Sequence, residues 1–193
     1  MTSRPRAIVV AGPSGSGKSS LFPVRDFGVD AFNVDDRAAD QNGGSYAGIS
    51  LALRREAQVA CEAFVEGHID EARSYAVETT LRSTAALAQT ERARARGFET
   101  ILIFVGTADP AENVRRVALR GHTGGHAATP AEIADIFARS LANLRRALEV
   151  FERVELWDNS VLGGVPMLVA ARSTDGWRHF VEPLPAWVPP LKS

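Results

Sequence analysis

The stretch Gly12-Pro13-Ser14-Gly15-Ser16-Gly17-Lys18-Ser19 is where residue types and spacing point most directly to chemistry. It fits G-x-x-x-x-G-K-[ST], the phosphate-loop pattern, with an apolar β-rich run before it and a segment able to begin a helix after it. Glycines in such a loop let backbone N–H groups turn around phosphate oxygens, and a helix start adds the positive end of a dipole. The nucleotide-binding candidates are therefore Gly12, Pro13, Ser14, Gly15, Ser16, Gly17, Lys18, Ser19 and the following Ser20. Lys18 is placed to neutralise the β- and γ-phosphates, and the Ser19 hydroxyl to hold Mg²⁺. Only two lysines occur among 22 basic residues, Lys18 and Lys192. One of the two thus stands where a compact ammonium suits phosphate better than a planar guanidinium.

A phosphate loop specifies a nucleotide and not a reaction, so the acceptor side must come from the C-terminal ends of the other strands. Asn33-Val34-Asp35-Asp36 follows the second apolar run, and Asp35 is the candidate base for an attacking hydroxyl, ahead of Asp36. Glu78-Thr79-Thr80 ends the third run and forms a candidate substrate-binding set. No apolar run ends cleanly in Asp to supply the usual second nucleotide motif, so Glu78 or Asp35 must take that metal-directed role. Arg120 and Arg139 flank the Gly-rich stretch from Gly121 to His126, where they could close over a triphosphate; His126 is a loop histidine able to touch substrate. His122 and His126 have no further ligand adjacent and are not read as a metal site.

The elements that must position these groups alternate. Apolar β-rich runs at 7–11, 31–34, 75–77, 100–105 and 154–157 are separated by helical stretches at 46–67, 83–97, 110–120 and 129–151. That alternation predicts a phosphate-loop NTPase-type α/β fold, a three-layer sandwich with a mainly parallel five-stranded sheet. Thr129, Pro130 and Glu132 write a capped helix start, and Ile133, Ile136, Phe137, Leu141, Leu144 and Leu148 form one buried stripe. Two further runs, 167–171 and 177–181, flank a Ser-Thr-Asp-Gly turn and predict a C-terminal β-hairpin. Residues 1–182 are expected to form a single kinase domain and residues 183–193, with four prolines, an irregular tail.

Composition narrows the class. With 193 residues and 45% hydrophobic content the chain can bury a core of its own, and a net charge of −1 removes the broad basic face expected of a nucleic-acid binder. No stretch approaches the roughly 20 apolar residues of a membrane span. Cys61 is the one cysteine, which excludes an intramolecular disulfide and suits a reducing cytoplasm. It is read as a small core residue. Trp157, Trp177 and Trp187 are read as packing residues, because no basic groove accompanies them.

Over roughly residues 7–172 the chain resembles the zeta-toxin-like phosphate-loop kinases, particularly their short bacterial members. The resemblance rests on the phosphate loop, the Asn33-to-Asp36 segment, Glu78-Thr79-Thr80, and the stretch from Arg120 through Gly124-Gly125-His126 to Arg139-Ser140-Leu141-Ala142-Asn143-Leu144. It implies an ATP- and Mg²⁺-dependent phosphotransferase acting on a hydroxyl of a nucleotide sugar, UDP-N-acetylglucosamine, with a possible antitoxin-like protein partner. It also implies Lys18 and Ser19 at ATP and Mg²⁺, Asp35 as base, Glu78 in substrate or metal placement, and Arg120 and Arg139 on phosphates. Val34 and Asp36 stand where Pro or Ala and then Glu are more familiar, and residues 41–50 match the acceptor-side segment poorly. Two alternatives stay open: a kinase for another metabolite, such as a sugar acid or nucleoside monophosphate, and a nucleotide-dependent switch without phosphotransfer.

Overall fold

The computed structural model describes residues 4–121 and 129–191. Strands β1 (Arg6–Ala11), β2 (Asp30–Phe32), β3 (Tyr75–Thr79), β4 (Glu99–Gly106) and β5 (Arg153–Asp158) run parallel, and β6 (Met167–Ser173) and β7 (Gly176–His179) complete one sheet in the order β2-β3-β1-β4-β5-β6-β7. The helices are α1 (Lys18–Leu21), α2 (Val34–Gln41), α3 (Leu51–Asp70), α4 (Ala85–Ala95), α5 (Pro110–Gly121) and α6 (Pro130–Val150), with a 3₁₀ turn at Val24–Phe27.

The expected sheet of five strands is thereby corrected to seven. The hairpin does not stand apart: β6 pairs antiparallel with β5 from Val154↔Arg172 to Asp158↔Met167. Alternation predicts a strand but not its lateral neighbour, and without β6 the backbone edge of β5 would be left unpaired. Val169 and Ala170 of β6 are fully buried in the main core, so the hairpin completes that core as well as the sheet.

The two faces of β1 bury different layers. Ala7, Val9 and Ala11 join Cys61, Val65 and Ile69 of α3, Leu87 and Ala93 of α4, and Leu144, Ala147 and Leu148 of α6 in one cluster. Ile8 and Val10 face a smaller cluster filled by Phe22, Val24, Phe27, Val29 and Trp157. On that second face the apolar cover comes from the short 3₁₀ segment rather than from a run of long helices, which thins the third layer of the expected sandwich. Cys61 is a buried core residue, and burial raises its thiol to about 11. Among the described residues no helix is long and apolar enough to cross a membrane.

Local sequence explains most boundaries. At α6, the Thr129 hydroxyl accepts from the Glu132 N–H while the Glu132 carboxylate accepts from the Thr129 N–H, with Pro130 in the first turn. Helix α3 begins later than position 46, because Gly48 adopts φ +68° and Ser50 caps the helix by accepting from the Leu53 N–H. Helix α2 is absent from the periodicity reading, which took Val34 as the end of a strand. Its signal is the Asn33 cap, whose Oδ1 accepts from the Asp35 and Asp36 N–H groups, with two acids in the first turn. The same residues that could act as a base thus begin a helix.

Candidate functional site

β1 delivers the chain to Gly12, and the loop returns through Gly17, which caps α1 at φ +93°. An added Cβ on Gly17 would lie 2.5 Å from Asn159 Nδ2, and one on Gly15 (φ +82°) would lie 2.6 Å from the Asn113 carbonyl. Both positions therefore need glycine for backbone conformation and for space. Phe22 and Pro23 stop α1 after one turn, so a phosphate here would depend on loop N–H groups and Lys18 more than on a helix dipole.

Two side chains outside the motif fix the loop's peptide planes. Asn113 of α5, fully buried, donates from Nδ2 to the Ser14 carbonyl at 2.8 Å, and its Oδ1 accepts from the Thr107 hydroxyl. Asn159, just past β5, donates from Nδ2 to the Ser16 carbonyl at 2.8 Å. In a trans peptide the carbonyl and the following N–H point to opposite sides. Holding the Ser14 and Ser16 carbonyls against the asparagines thus aims the Gly15 and Gly17 N–H groups the other way, across the loop. Neither asparagine was foreseen, because no spacing rule links positions 113 or 159 to the motif; the strand register brings them there.

Below the loop, β1 and β3 pair with Val10↔Glu78 and Ala11↔Thr79 in register, which sets the end of β3 beside the start of the loop. Glu78 Oε1 accepts from the Ser19 hydroxyl at 2.9 Å and lies 3.6 Å from Lys18 Nζ; both charged side chains are less than a tenth exposed. Glu78 Oε2 is buried without a hydrogen-bond partner, as is Ser16 Oγ. A buried carboxylate oxygen with a free lone pair, beside a hydroxyl and an ammonium, suits a hard divalent cation that shares its coordination with phosphate and water. Among the described residues no group of three or more His, Cys, Asp or Glu could hold a metal alone.

The Thr79 hydroxyl accepts from the Leu81 N–H at 3.1 Å, and Thr80 is half-buried in the same bend. Leu81, fully buried, sits at φ +57°, and Asn143 of α6 donates to its carbonyl at 2.9 Å. The bend that ends β3 is thus held in the left-handed region by a side chain from the Arg139-to-Leu144 stretch.

Asp35 lies in the first turn of α2, at the same C-terminal edge of the sheet with β3 between β2 and β1. Its carboxylate is largely exposed and stands 3.8 Å from Arg54 of α3. Asp36 is engaged instead: it accepts from the Tyr46 hydroxyl at 2.7 Å, and that bond is the main cause raising Tyr46 to about 12. Ala38, Ala39, Ile49 and Ala57 give this α2–α3 unit a small core separate from the main one. Ser20 is exposed on α1. Arg139 is exposed and pairs with Asp135 at 2.9 Å, one turn back on α6. Arg120 is placed by the backbone of the last turn of α5, and His122 and His126 lie outside the described residues.

No family model matches the chain, and no curated protein matches it. Solved structures do. A chain of the PezAT chromosomal toxin-antitoxin system of Streptococcus pneumoniae superposes with a TM-score of 0.57 at 19% identity, over 82% of this chain and 70% of that one. A chain of the AvrRxo1-ORF1:-ORF2 complex with ATP gives a TM-score of 0.70 at 13% identity, over 92% of this chain and 61% of its own length. These likenesses show the fold, a parallel-core α/β sheet with the phosphate loop following β1. A putative kinase from Chloroflexus aurantiacus superposes with a TM-score of 0.53 at 19% identity, over 72% of this chain and 79% of that one. The present chain spans about three-fifths of the AvrRxo1 complex chain. At these identities the fold is common to all three, and a shared fold leaves site residues free to differ.

Proposed function

We propose that the chain is an ATP-dependent kinase that moves the γ-phosphoryl group to a hydroxyl of a small polar metabolite, a nucleotide sugar such as UDP-N-acetylglucosamine. The observation that carries this reading is the Lys18–Ser19–Glu78 cluster, with the partnerless Glu78 Oε2 buried beneath a phosphate loop and an exposed carboxylate, Asp35, on the same sheet edge. Residues 12–20 bind the triphosphate through loop N–H groups, and Lys18 leaves Glu78 to offset charge on the β- and γ-phosphates. Ser19 and Glu78 hold Mg²⁺, which when bound neutralises phosphate charge and orients the transferring group. Asp35 accepts the proton of the acceptor hydroxyl as the oxygen attacks. Thr79 and Thr80, at the bend that Asn143 holds, and His126 contact the acceptor. Arg120 and Arg139 come over the phosphates, Arg139 exchanging Asp135 for a phosphate oxygen.

Most of the barrier reduction in phosphoryl transfer comes from positioning and charge compensation, so rigid loop carbonyl anchors beside one buried acid are the expected apparatus. The PezAT toxin-antitoxin system supports a protein partner of antitoxin type, and the two-component AvrRxo1-ORF1:-ORF2 complex supports a protein partner more generally. The test is incubation of the purified chain with Mg-ATP and a panel of nucleotide sugars, sugar acids and nucleoside monophosphates, read by mass spectrometry for an added phosphate. The reading predicts one phosphorylated acceptor, with turnover lost in Lys18→Ala and Asp35→Asn. Absence of any modified acceptor, or variants as active as the parent chain, overturns it.

A further inference from the structure

The described residues after β7 contain no helix or strand, yet Trp187 is 7% exposed and belongs to the main core cluster together with the half-buried Leu184, Val188 and Leu191. Its ring packs on Phe104 of β4 at a centroid distance of 5.7 Å and lies flat against Gly106, where a Cβ would come within 2.6 Å of the indole. Packing of that kind explains burial. It does not explain the indole N–H, which donates to Asp158 Oδ2 at 2.6 Å.

Asp158 begins the turn at 158–160 that bears one of the two loop anchors. Its Oδ1 accepts from the Ser160 N–H at 3.0 Å and its Oδ2 from the Ser160 hydroxyl at 2.8 Å. Ser160 Oγ in turn accepts from the Ala108 N–H at 2.9 Å, and the Asn159 N–H donates to the Gly106 carbonyl at 2.9 Å. The turn is thereby tied to the end of β4 on one side and to Trp187 on the other. Asn159 projects from it to the Ser16 carbonyl. Hydrogen bonds joined by the covalent turn 158–160 therefore link the indole, through Asp158 and Asn159, to the phosphate loop.

We infer that Trp187 is a positioning residue for nucleotide binding: through Asp158 and Asn159 it fixes the Ser16–Gly17 peptide plane, so that residues 184–191 form part of the structure that shapes the phosphate loop. The inference rests on the proposed nucleotide-binding role of that loop. A buried acceptor that loses its donor must find water or move. In Trp187→Phe the ring packing survives and only the N–H is removed, leaving Asp158 to turn and the Asn159 amide to lose its fixed origin.

The experiment measures the dissociation constant of N-methylanthraniloyl-ATP with Mg²⁺ for the full chain and variants, with thermal melts alongside. Trp187→Phe should weaken binding about five- to tenfold, less than the full worth of a hydrogen bond to a charged group because the effect reaches the loop only through Asn159. Asn159→Ala should weaken it by as much or more. The double variant should bind like Asn159→Ala alone, because the tryptophan acts through that side chain. Trp177→Phe, on β7 and outside this network, should bind like the parent chain. If Trp187→Phe lowers the melting temperature yet leaves the dissociation constant unchanged, or if the two effects multiply, the inference is overturned and the tryptophan is packing alone. Asp158→Asn serves as a second route to the same result should Trp187→Phe fold poorly. If the parent chain binds no nucleotide, the reading of the loop itself fails, a result distinct from binding that ignores Trp187.

Discussion

Glu78→Gln separates the two duties assigned to the buried acid. The amide keeps the shape of the side chain and an oxygen for the Ser19 hydroxyl, but it removes the charge that faces Lys18 at 3.6 Å. At an effective dielectric of about 20, the gross attraction at this distance is about 5 kcal/mol. Much of that offsets the desolvation of two side chains that are each less than a tenth exposed. Breaking a buried pair by removing one partner costs about 3–5 kcal/mol, and the lower end applies here because Ser19 next to the pair is exposed to water. The nucleotide-free variant should therefore lose about 3 kcal/mol of stability, which for a chain of this size lowers the melting temperature by about 6–12 °C.

The sign reverses for metal-free nucleotide. In the parent chain ATP must draw Lys18 away from Glu78, whereas in the variant the phosphates supply a partner to an orphaned ammonium. Binding of ATP in EDTA should tighten by about ten- to a hundredfold, a large part of the same free energy recovered on binding. Mg²⁺ should then add little affinity, because the carboxylate that would hold it is gone. Isothermal titration calorimetry with ATP, in EDTA and in Mg²⁺, reads both binding quantities, and a thermal melt reads the stability. If the variant binds metal-free ATP more weakly than the parent chain, or gains from Mg²⁺ as much as the parent does, Glu78 does not have this dual role.

Gly17→Ala should abolish detectable ATP binding by calorimetry while the chain still folds, since the new methyl meets Asn159 Nδ2 at 2.5 Å in a left-handed backbone. Asn143→Ala leaves the buried Leu81 carbonyl without its donor; a loss of about 2 kcal/mol is expected, seen as a fall of about 4–8 °C in the thermal melt. Tyr46 titrates at about 12 because its hydroxyl is bonded to Asp36, and burial moves Tyr75 up as well. The folded pKa of Tyr46 lies above the unfolded value of 10.0, so its contribution to stability is complete below pH 10 and is lost as pH rises towards 12. Ultraviolet difference titration should show almost no tyrosinate in the folded chain at pH 10.5, and Tyr46→Phe should remove the first tyrosinate step.

Much of this protein was legible from local pattern. The phosphate loop, the five parallel strands, the capped start of α6 and the acid at the end of β3 each depend on residues close together in sequence, where periodicity, capping and turn chemistry act directly. The short α2 was lost because its start signal, Asn33 with Asp35 and Asp36, serves equally as a cap and as a catalytic cluster. Arg139, a candidate for closing over a triphosphate, pairs with Asp135 one helical turn away, a contact that depends on helix formation over 130–150. What tertiary structure alone decided is which distant groups meet. The β1–β3 register sets Glu78 beside Ser19 across 59 positions, and the end of β5 brings Asn159 to Ser16 across 143. Helix α5 brings Asn113 to Ser14, and the tail brings Trp187 to Asp158. Such contacts follow from strand order and from the packing of chain ends onto a common core, and no spacing rule along the chain encodes them. The sequence by itself determined that a phosphate loop would form; the fold decided which side chains hold its peptide planes and which acid lies beneath its lysine.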